Sequence, residues 1–288
     1  MTHAPLLVTD RAGLAAALAA RPGRRAVVMT MGALHAGHLA LVERAREVAE
    51  VVVVTIFVNP LQFGAGEDLA RYPRDLDGDL ARLAGVGADV VFAPTPDVVY
   101  PDGDPAVRVS AGPFGEVLEG ASRPGHLDGV LTVVLKLLHL TAPDVALYGR
   151  KDAQQLAAIT RMVRDLDAGV EVLGVETVRE PDGLALSSRN AYLTPAERER
   201  ALVLSRALRA GAGAAGAGAD AVRAATRAVL ADAESRWADV VVDYAALVDP
   251  ATFTDVPAGW RGEAVLALAV RVGTTRLIDN TTIELEAE

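Results

Sequence analysis

From residue 26 onward, short apolar runs alternate with segments whose apolar residues recur every three or four positions. Residues 26–30 form the first apolar run. Over residues 38–50, Leu41, Val42, Ala45, Val48 and Ala49 fall on one stripe, which predicts an amphipathic helix. Residues 51–58 are apolar except for Thr55 and rich in β-branched types, and Asn59-Pro60 ends them, so they predict a buried strand. The alternation continues with a helix over 75–85, a strand over 89–93, a helix over 127–140, a strand over 145–148, a helix over 152–166 and a strand over 170–175. In the 127–140 helix, Val130, Val133, Val134, Leu137 and Leu138 make the inner face. Strands separated by helices predict a doubly wound parallel α/β sheet with right-handed crossovers and helices on both faces. Such sheets bind ligands at the carboxyl ends of their strands.

The pattern changes near residue 178. Pro181-Asp182-Gly183 predicts a turn, and Thr194-Pro195-Ala196-Glu197 a capping box with proline at the first helical position. The Ala/Gly tract 210–219 reads as a loose helix end and linker, followed by a helix over about 221–237. Strands over 240–247, 264–272, 275–279 and 283–286 have no helices between them and predict a small antiparallel sheet. The expected organisation is a larger α/β domain over residues 1–177 and a smaller α+β domain over 178–288.

A chain of 288 residues suits two domains. The absence of cysteine removes disulfides, thiolate catalysis and Cys-ligated zinc or iron–sulfur centres, and it fits a reducing cytosol. With 28 Lys and Arg against 38 Asp and Glu, the net charge of −10 has the wrong sign for general nucleic-acid binding. Asp10 and Arg11 split the first residues into two short uncharged stretches, too short to cross a membrane and without a basic leader. The expectation is a soluble cytoplasmic protein whose anionic ligands sit in local cationic pockets.

Three loops carry candidate chemistry. In Met31-Gly32-Ala33-Leu34-His35-Ala36-Gly37-His38, two histidines three apart face the same way at a helix start, where free amides favour phosphate. Their imidazoles can donate to phosphate oxygens as charge shifts during phosphoryl transfer. Gly149-Arg150-Lys151-Asp152 follows a strand. Asp152 and Gln155 fit a capping box, whereas Lys151 beside a helix start is unfavourable unless an anion is present. Leu186-Ser187-Ser188-Arg189-Asn190 offers two hydroxyls and a guanidinium, either a polyphosphate clamp on a closing lid or an ordinary polar loop. Asn59, Gln62 and Phe63 lie just past a strand, as substrate contacts or turn formers. Arg123 and His126 precede a buried helix, as carboxylate binders or caps. His139 reads as a packing histidine inside an apolar helix, and Asp75, Asp77 and Asp79 as a solvated acidic helix start rather than a calcium loop.

The His35-Ala36-Gly37-His38 run resembles the HxGH signature of the nucleotidyltransferase superfamily, which shares a Rossmann-like fold. The further runs are Phe57-Val58-Asn59-Pro60-Leu61-Gln62-Phe63, Tyr72-Pro73-Arg74, Gly149-Arg150-Lys151-Asp152-Ala153-Gln154-Gln155 and Leu186-Ser187-Ser188-Arg189-Asn190-Ala191-Tyr192-Leu193. In that order they resemble the pantothenate synthetase family from about residue 6 to the end. The resemblance implies an AMP-forming ligase of coenzyme A biosynthesis. Pantoate and ATP, with Mg2+, give a pantoyl adenylate and pyrophosphate, and β-alanine then displaces AMP. It also implies a homodimer. By matching position, Met31, Gly32, Ala33, Leu34, His35, Ala36, Gly37 and His38 line the ATP site, joined by Gly149, Arg150, Lys151, Asp152, Val178, Leu186, Ser187, Ser188 and Arg189. His38, His35 and Lys151 stabilise the transferring phosphorus, and Gln62 and Gln155, with Asn59 and Arg123, bind pantoate and β-alanine. Metal ligands and the base for the β-alanine proton are not assigned by the resemblance. Met29, Leu127, Arg150 and Leu186 depart from the usual family pattern and bear on positioning and affinity. The alternatives are another HxGH nucleotidyltransferase, an ADP-forming ligase working through an acyl phosphate, and a non-catalytic nucleotide-binding module.

Overall fold

The computed structural model describes residues 4–64, 69 and 72–286. Two compact units are present. One comprises the chain up to Gly149 together with Ala158–Val175, and the other Arg150–Ala157 together with the chain from Glu176 onward.

In the first unit, β1 (Leu6–Val8), β2 (Arg25–Thr30), β3 (Val51–Ile56), β4 (Val90–Phe92), β5 (Val145–Gly149) and β6 (Glu171–Val175) form one sheet. Every pairing is parallel, in the order β1-β4-β3-β2-β5-β6. The chain builds outward from β2 to β3 and β4, then crosses back to place β5 on the other side of β2, paired from Ala26↔Val145 to Val28↔Leu147. The strand order thus reverses at β2 and β5, and sheets of this kind take their ligands at the carboxyl ends of the strands at such a point. The helices are α1 (Arg11–Ala19), α2 (Ala36–Val48), α3 (Leu76–Val86), the short α4 (Pro96–Val99) and α5 (Leu118–Ser122), α6 (His126–Thr141) and α7 (Ala153–Asp165), whose start belongs to the second unit.

Val28, Val52, Val54, Val91 and Val145 are fully buried, and Leu41, Val42 and Ala45 of α2 pack with them in one core cluster. The inner face expected for α6 is buried as well: Val130, Val133, Val134, Leu137 and Leu138. Three expectations shift. α2 begins at Ala36, two residues earlier than its apolar stripe suggests, because His35 supplies its cap. β3 stops at Ile56, since the chain must turn into the single 3₁₀ turn Pro60–Gln62. His139 is exposed in the last turn of α6, where a basic side chain suits the helix dipole, so it is no packing residue.

The second unit holds α8 (Pro195–Ala201), α9 (Val203–Gly213), α10 (Gly218–Arg236) and the antiparallel sheet β7 (Val240–Val248), β8 (Gly262–Val272), β9 (Thr275–Leu285), in that order. The Thr194–Glu197 capping box starts α8, with the Glu197 amide donating to Thr194 Oγ1 at 3.3 Å and the Thr194 amide to Glu197 Oε2 at 2.9 Å. Most of the Ala/Gly tract is helical rather than a linker. At Gly211 of α9, an added Cβ would lie 2.4 Å from Thr226 Oγ1 and 2.5 Å from Leu266 Cδ2, so the missing side chain lets α9 approach α10 and β8. The two strands expected over 275–279 and 283–286 are one: β9 runs without interruption, its polar middle pairing at Ala267↔Asn280.

Candidate active site

The loop after β2 is built by three devices. Thr30 Oγ1 donates to the Thr55 carbonyl at 2.9 Å and accepts from the Gly32 amide at 3.2 Å, which anchors the loop to the neighbouring strand. Gly32 (φ 84°) and Ala33 (φ 52°) are left-handed in succession and turn the chain sharply. A Cβ on Gly32 would also lie 3.1 Å from Asp79 Oδ2 and 3.2 Å from Ile56 Cγ2. Asp79, from α3, then clamps the loop: its Oδ2 accepts from the Ala33 amide at 2.9 Å and its Oδ1 from the Leu34 amide at 2.8 Å. Asp79 is only 1 % exposed, so the expected solvated acidic start is wrong at this residue. Asp75 does serve as a cap, accepting from the Gly78 amide at 3.0 Å.

His35 and His38 cap α2 reciprocally. The Gly37 amide donates to His35 Nδ1 at 3.2 Å, and the His35 amide donates to His38 Nδ1 at 3.3 Å. Both Nδ1 atoms therefore act as acceptors, which fixes the neutral tautomer of each ring with its hydrogen on Nε2. The two rings lie 4.1 Å apart, tilted by 32°. Two half-buried imidazole donors are thus held rigidly by main chain at a helix start. Leu34 is buried in the core beside them, so it serves the loop through its backbone alone, while Ala36 is exposed.

Gln62 joins this loop from the turn after β3. Its Nε2 reaches Met31 Sδ at 3.1 Å, and its Oε1 accepts from Asn59 Nδ2 at 3.1 Å. Asn59 is 1 % exposed and directs its whole hydrogen-bonding capacity into the protein. Its Nδ2 also donates to the Gly129 carbonyl at 3.1 Å, and its Oδ1 accepts from the Leu61 amide at 3.3 Å and the Tyr100 hydroxyl at 2.9 Å. Of its two expected roles, substrate contact or turn former, the structure shows Asn59 in the second: it caps the 60–62 turn and fixes the Gln62 side chain from behind. Burial pushes the Tyr100 phenol well above its ordinary pKa, so it stays a donor to Asn59. Arg123 Nη1 approaches His126 Nε2 at 2.9 Å, and His126 Nδ1 lies 2.8 Å from the Gln62 carbonyl. These two residues hold the backbone of the Gln62 turn. Gly129 permits the whole arrangement: a Cβ there would lie 2.2 Å from the Leu61 carbonyl oxygen.

Gly149 ends β5, and beyond it, in the second unit, Arg150–Asp152 form a 3₁₀ turn directly ahead of α7. The Lys151 side chain is 17 % exposed with its ammonium 4.0 Å from Asp152 Oδ1, and Arg150 Nε lies 3.0 Å from Glu176 Oε1. Gln155 is half-buried in the first turn of α7. Val178 and Leu186 face each other across a short hairpin, the Leu186 amide donating to the Val178 carbonyl at 3.0 Å. Ser187 caps the following turn by accepting from the Arg189 amide at 3.3 Å, while Ser188 and Arg189 are exposed. Arg198 braces the hairpin, donating to Glu180 at 3.0 and 2.8 Å and to Asp182 at 2.7 Å. That guanidinium holds the Glu180 carboxyl below its usual range, and the Leu184 amide, with Arg198 behind it, does so for Asp182.

Each unit thus gathers its own expected residues. The 31–38 loop, Gln62, Asn59 and Arg123 form one connected set. The 150–152 turn and the 178–189 segment form another, both tied to β9. Sequence reasoning misses Asp79, Tyr100, Gly129 and Asn280. Of these, only the placement of Asp79 in an otherwise apolar helical stripe carries a readable signal.

Residues 7–282 match the family model described as pantoate-beta-alanine ligase. The chain is 57% identical to a pantothenate synthetase of Thermobifida fusca over 98% of this chain and 97% of that one. It is 56% identical to one of Streptomyces avermitilis over 90% and 92%. Among solved structures, pantothenate synthetase from Thermus thermophilus superposes with a TM-score of 0.88 at 48% identity, covering 96% of this chain and 98% of that one. The Francisella tularensis pantoate-beta-alanine ligase complexed with beta-gamma ATP and beta-alanine superposes with a TM-score of 0.78 at 32% identity, covering 96% and 97%.

Proposed function

The chain belongs to the pantoate-beta-alanine ligase family and so forms pantothenate from pantoate and β-alanine with ATP, and we propose that its residues do this through a pantoyl adenylate. A carboxylate is a poor electrophile. In the first step its oxygen attacks the α-phosphorus of ATP, and the bond to the β-phosphate oxygen breaks to release pyrophosphate. In the second, the β-alanine nitrogen attacks the acyl carbon, the bond to the AMP oxygen breaks, and the nitrogen gives up a proton. No nucleophilic side chain is required, and the enzyme's contribution is orientation and charge stabilisation.

The observation that carries this reading is the reciprocal cap of His35 and His38. It leaves each ring with an Nε2 hydrogen, so both are donors of fixed geometry to phosphate oxygens. We assign these two histidines to the charge that builds on the α-phosphorus, with the backbone of Met31, Gly32, Ala33 and Leu34 and the small residues Ala36 and Gly37 lining the nucleotide. Lys151, Ser187, Ser188 and Arg189 serve the phosphates, and Gly149, Arg150, Asp152, Val178 and Leu186 the remainder of the nucleotide. Gln62 and Gln155 contact pantoate and β-alanine, with Arg123 behind the Gln62 turn. Magnesium would enter with ATP and offset phosphate charge; no residue is assigned to it. Among the described residues no group of three or more His, Asp or Glu is gathered as a metal site. The homodimer and the cytoplasmic location rest on the family resemblance, the latter also on the lack of cysteine.

Pantoate-dependent exchange of labelled pyrophosphate into ATP, measured without β-alanine, tests the scheme. Exchange is expected; pantothenate formation without any exchange would overturn the adenylate.

A further inference from the structure

The Asp279-Asn280 dipeptide in the middle of β9 lies in no candidate loop, yet it is tied to both phosphate-directed segments of the second unit. Asn280 is 8 % exposed, and its Nδ2 donates to the carbonyl of Arg150 at 3.0 Å and to that of Lys151 at 2.7 Å. Two carbonyls can face only a donor, so the orientation of the amide is fixed and both of its hydrogens are used. Asp279, 3 % exposed, accepts from both Arg179 nitrogens at 2.7 and 2.9 Å, a paired guanidinium–carboxylate contact that holds the hairpin leading into residues 186–189. The Asn280 amide in turn donates to Asp279 Oδ1 at 2.9 Å, which locks the two residues to each other.

The 3₁₀ turn Arg150–Asp152 runs directly into α7, and 3₁₀ hydrogen bonds have poorer geometry than those of an α-helix. Asn280 supplies one donor group to two consecutive carbonyls. It thereby sets the direction in which Lys151 leaves the backbone. We propose that Asn280 is a positioning residue for the reaction: it aims the Lys151 ammonium at the triphosphate from 129 residues away in sequence. Asp279, through Arg179, holds the hairpin that leads into the serine–arginine segment. This inference rests on the assignment of Lys151 to the phosphates.

A double-mutant cycle tests it, read both as the ATP dissociation constant by calorimetry and as the rate of pantoate-dependent pyrophosphate exchange. Lys151→Ala should weaken both. Asn280→Ala should lower exchange by about tenfold to a hundredfold, the scale of a catalytic group misplaced by about an ångström, while the KM for β-alanine stays unchanged. In the Lys151→Ala background, Asn280→Ala should cost nothing further in ATP affinity, because the group it aims is gone. If its cost persists there in full, or if Asn280→Ala alone costs nothing, the positioning role is wrong. If Lys151→Ala itself has no effect, the assignment of Lys151 fails instead. Thermal melting monitors the fold, and Asn280→Ser, which keeps a small donor, replaces alanine in the cycle if Asn280→Ala does not fold.

Discussion

Replacing Asp79 with alanine removes the carboxylate that pairs two consecutive amides of the histidine loop, those of Ala33 at 2.9 Å and Leu34 at 2.8 Å. The Leu34 amide is buried, and a buried donor left unpaired costs about 1–3 kcal/mol, with a hydrogen bond to a charged group adding roughly 1.5–3 kcal/mol. The Ala33 amide is partly open to water and recovers some of its loss. The loop should therefore lose roughly 2–4 kcal/mol of local stability. Hydrogen–deuterium exchange resolved over residues 31–41 reads this directly. At about 1.4 kcal/mol per factor of ten, exchange of these amides should quicken by on the order of 10²-fold. Asp79→Asn keeps one oxygen and turns an NH₂ toward the other amide, so it should fall between parent and alanine. ATP affinity should weaken in the same order, because the loop carries both histidines. If Asp79→Ala leaves exchange at Ala33 and Leu34 within about threefold of the parent, far below that scale, the carboxylate does not hold the loop.

Gly129→Ala places a Cβ 2.2 Å from the Leu61 carbonyl oxygen and must displace the Asn59–Gln62 turn; pantoate kcat/KM should drop at least about tenfold despite alanine's better helix propensity of about 1 kcal/mol, and an unchanged value would dissociate Gln62 from substrate. His38→Ala should slow pyrophosphate exchange by roughly 10²-fold, the scale of one lost oxyanion donor; a loss of only a few fold would mean another group carries that charge. The lowered carboxyls of Glu180 and Asp182 stabilise the hairpin above their unfolded values of 4.5 and 3.8, and that stability is lost as pH falls through their still lower folded values. Urea unfolding followed by tryptophan fluorescence, whose reporters Trp237 and Trp260 both lie in the second unit, should show a decline below about pH 4.5 that Arg198→Ala flattens; an equal slope in the variant would refute the assignment.

Periodicity is informative wherever a segment buries one continuous face. The inner face of α6 and the β-branched run of β3 can be read because burial demands apolar residues at fixed spacing. β1 gives no such signal, being three residues long with two of them exposed. The middle of β9 reads as a break because Asp279, Asn280, Thr281 and Thr282 are polar, yet Asp279 and Asn280 are buried as anchors. The histidine loop, Lys151 and Gln62 are visible as residue types at sequence spacings that chemistry favours. Their supports are less so: Asp79 shows only as a polar residue in an apolar stripe, and the partners that Asn59 finds at Tyr100 and Gly129, and Asn280 at Arg150 and Lys151, are distant in sequence and not encoded locally. Asn59 shows why its two readings stay open in sequence, since a polar residue beside a strand end reads alike whether it faces a ligand or a neighbour's amide.

Ala33 sits at φ 52°, a posture that an L-residue resists by about 1–2 kcal/mol. Left to itself, that alanine would spring back toward an extended shape. It is kept coiled by the carboxylate opposite, so the clamp and not the residue's own preference sets the shape of the loop. Glycine there would relieve that resistance and leave the carboxylate less to hold against.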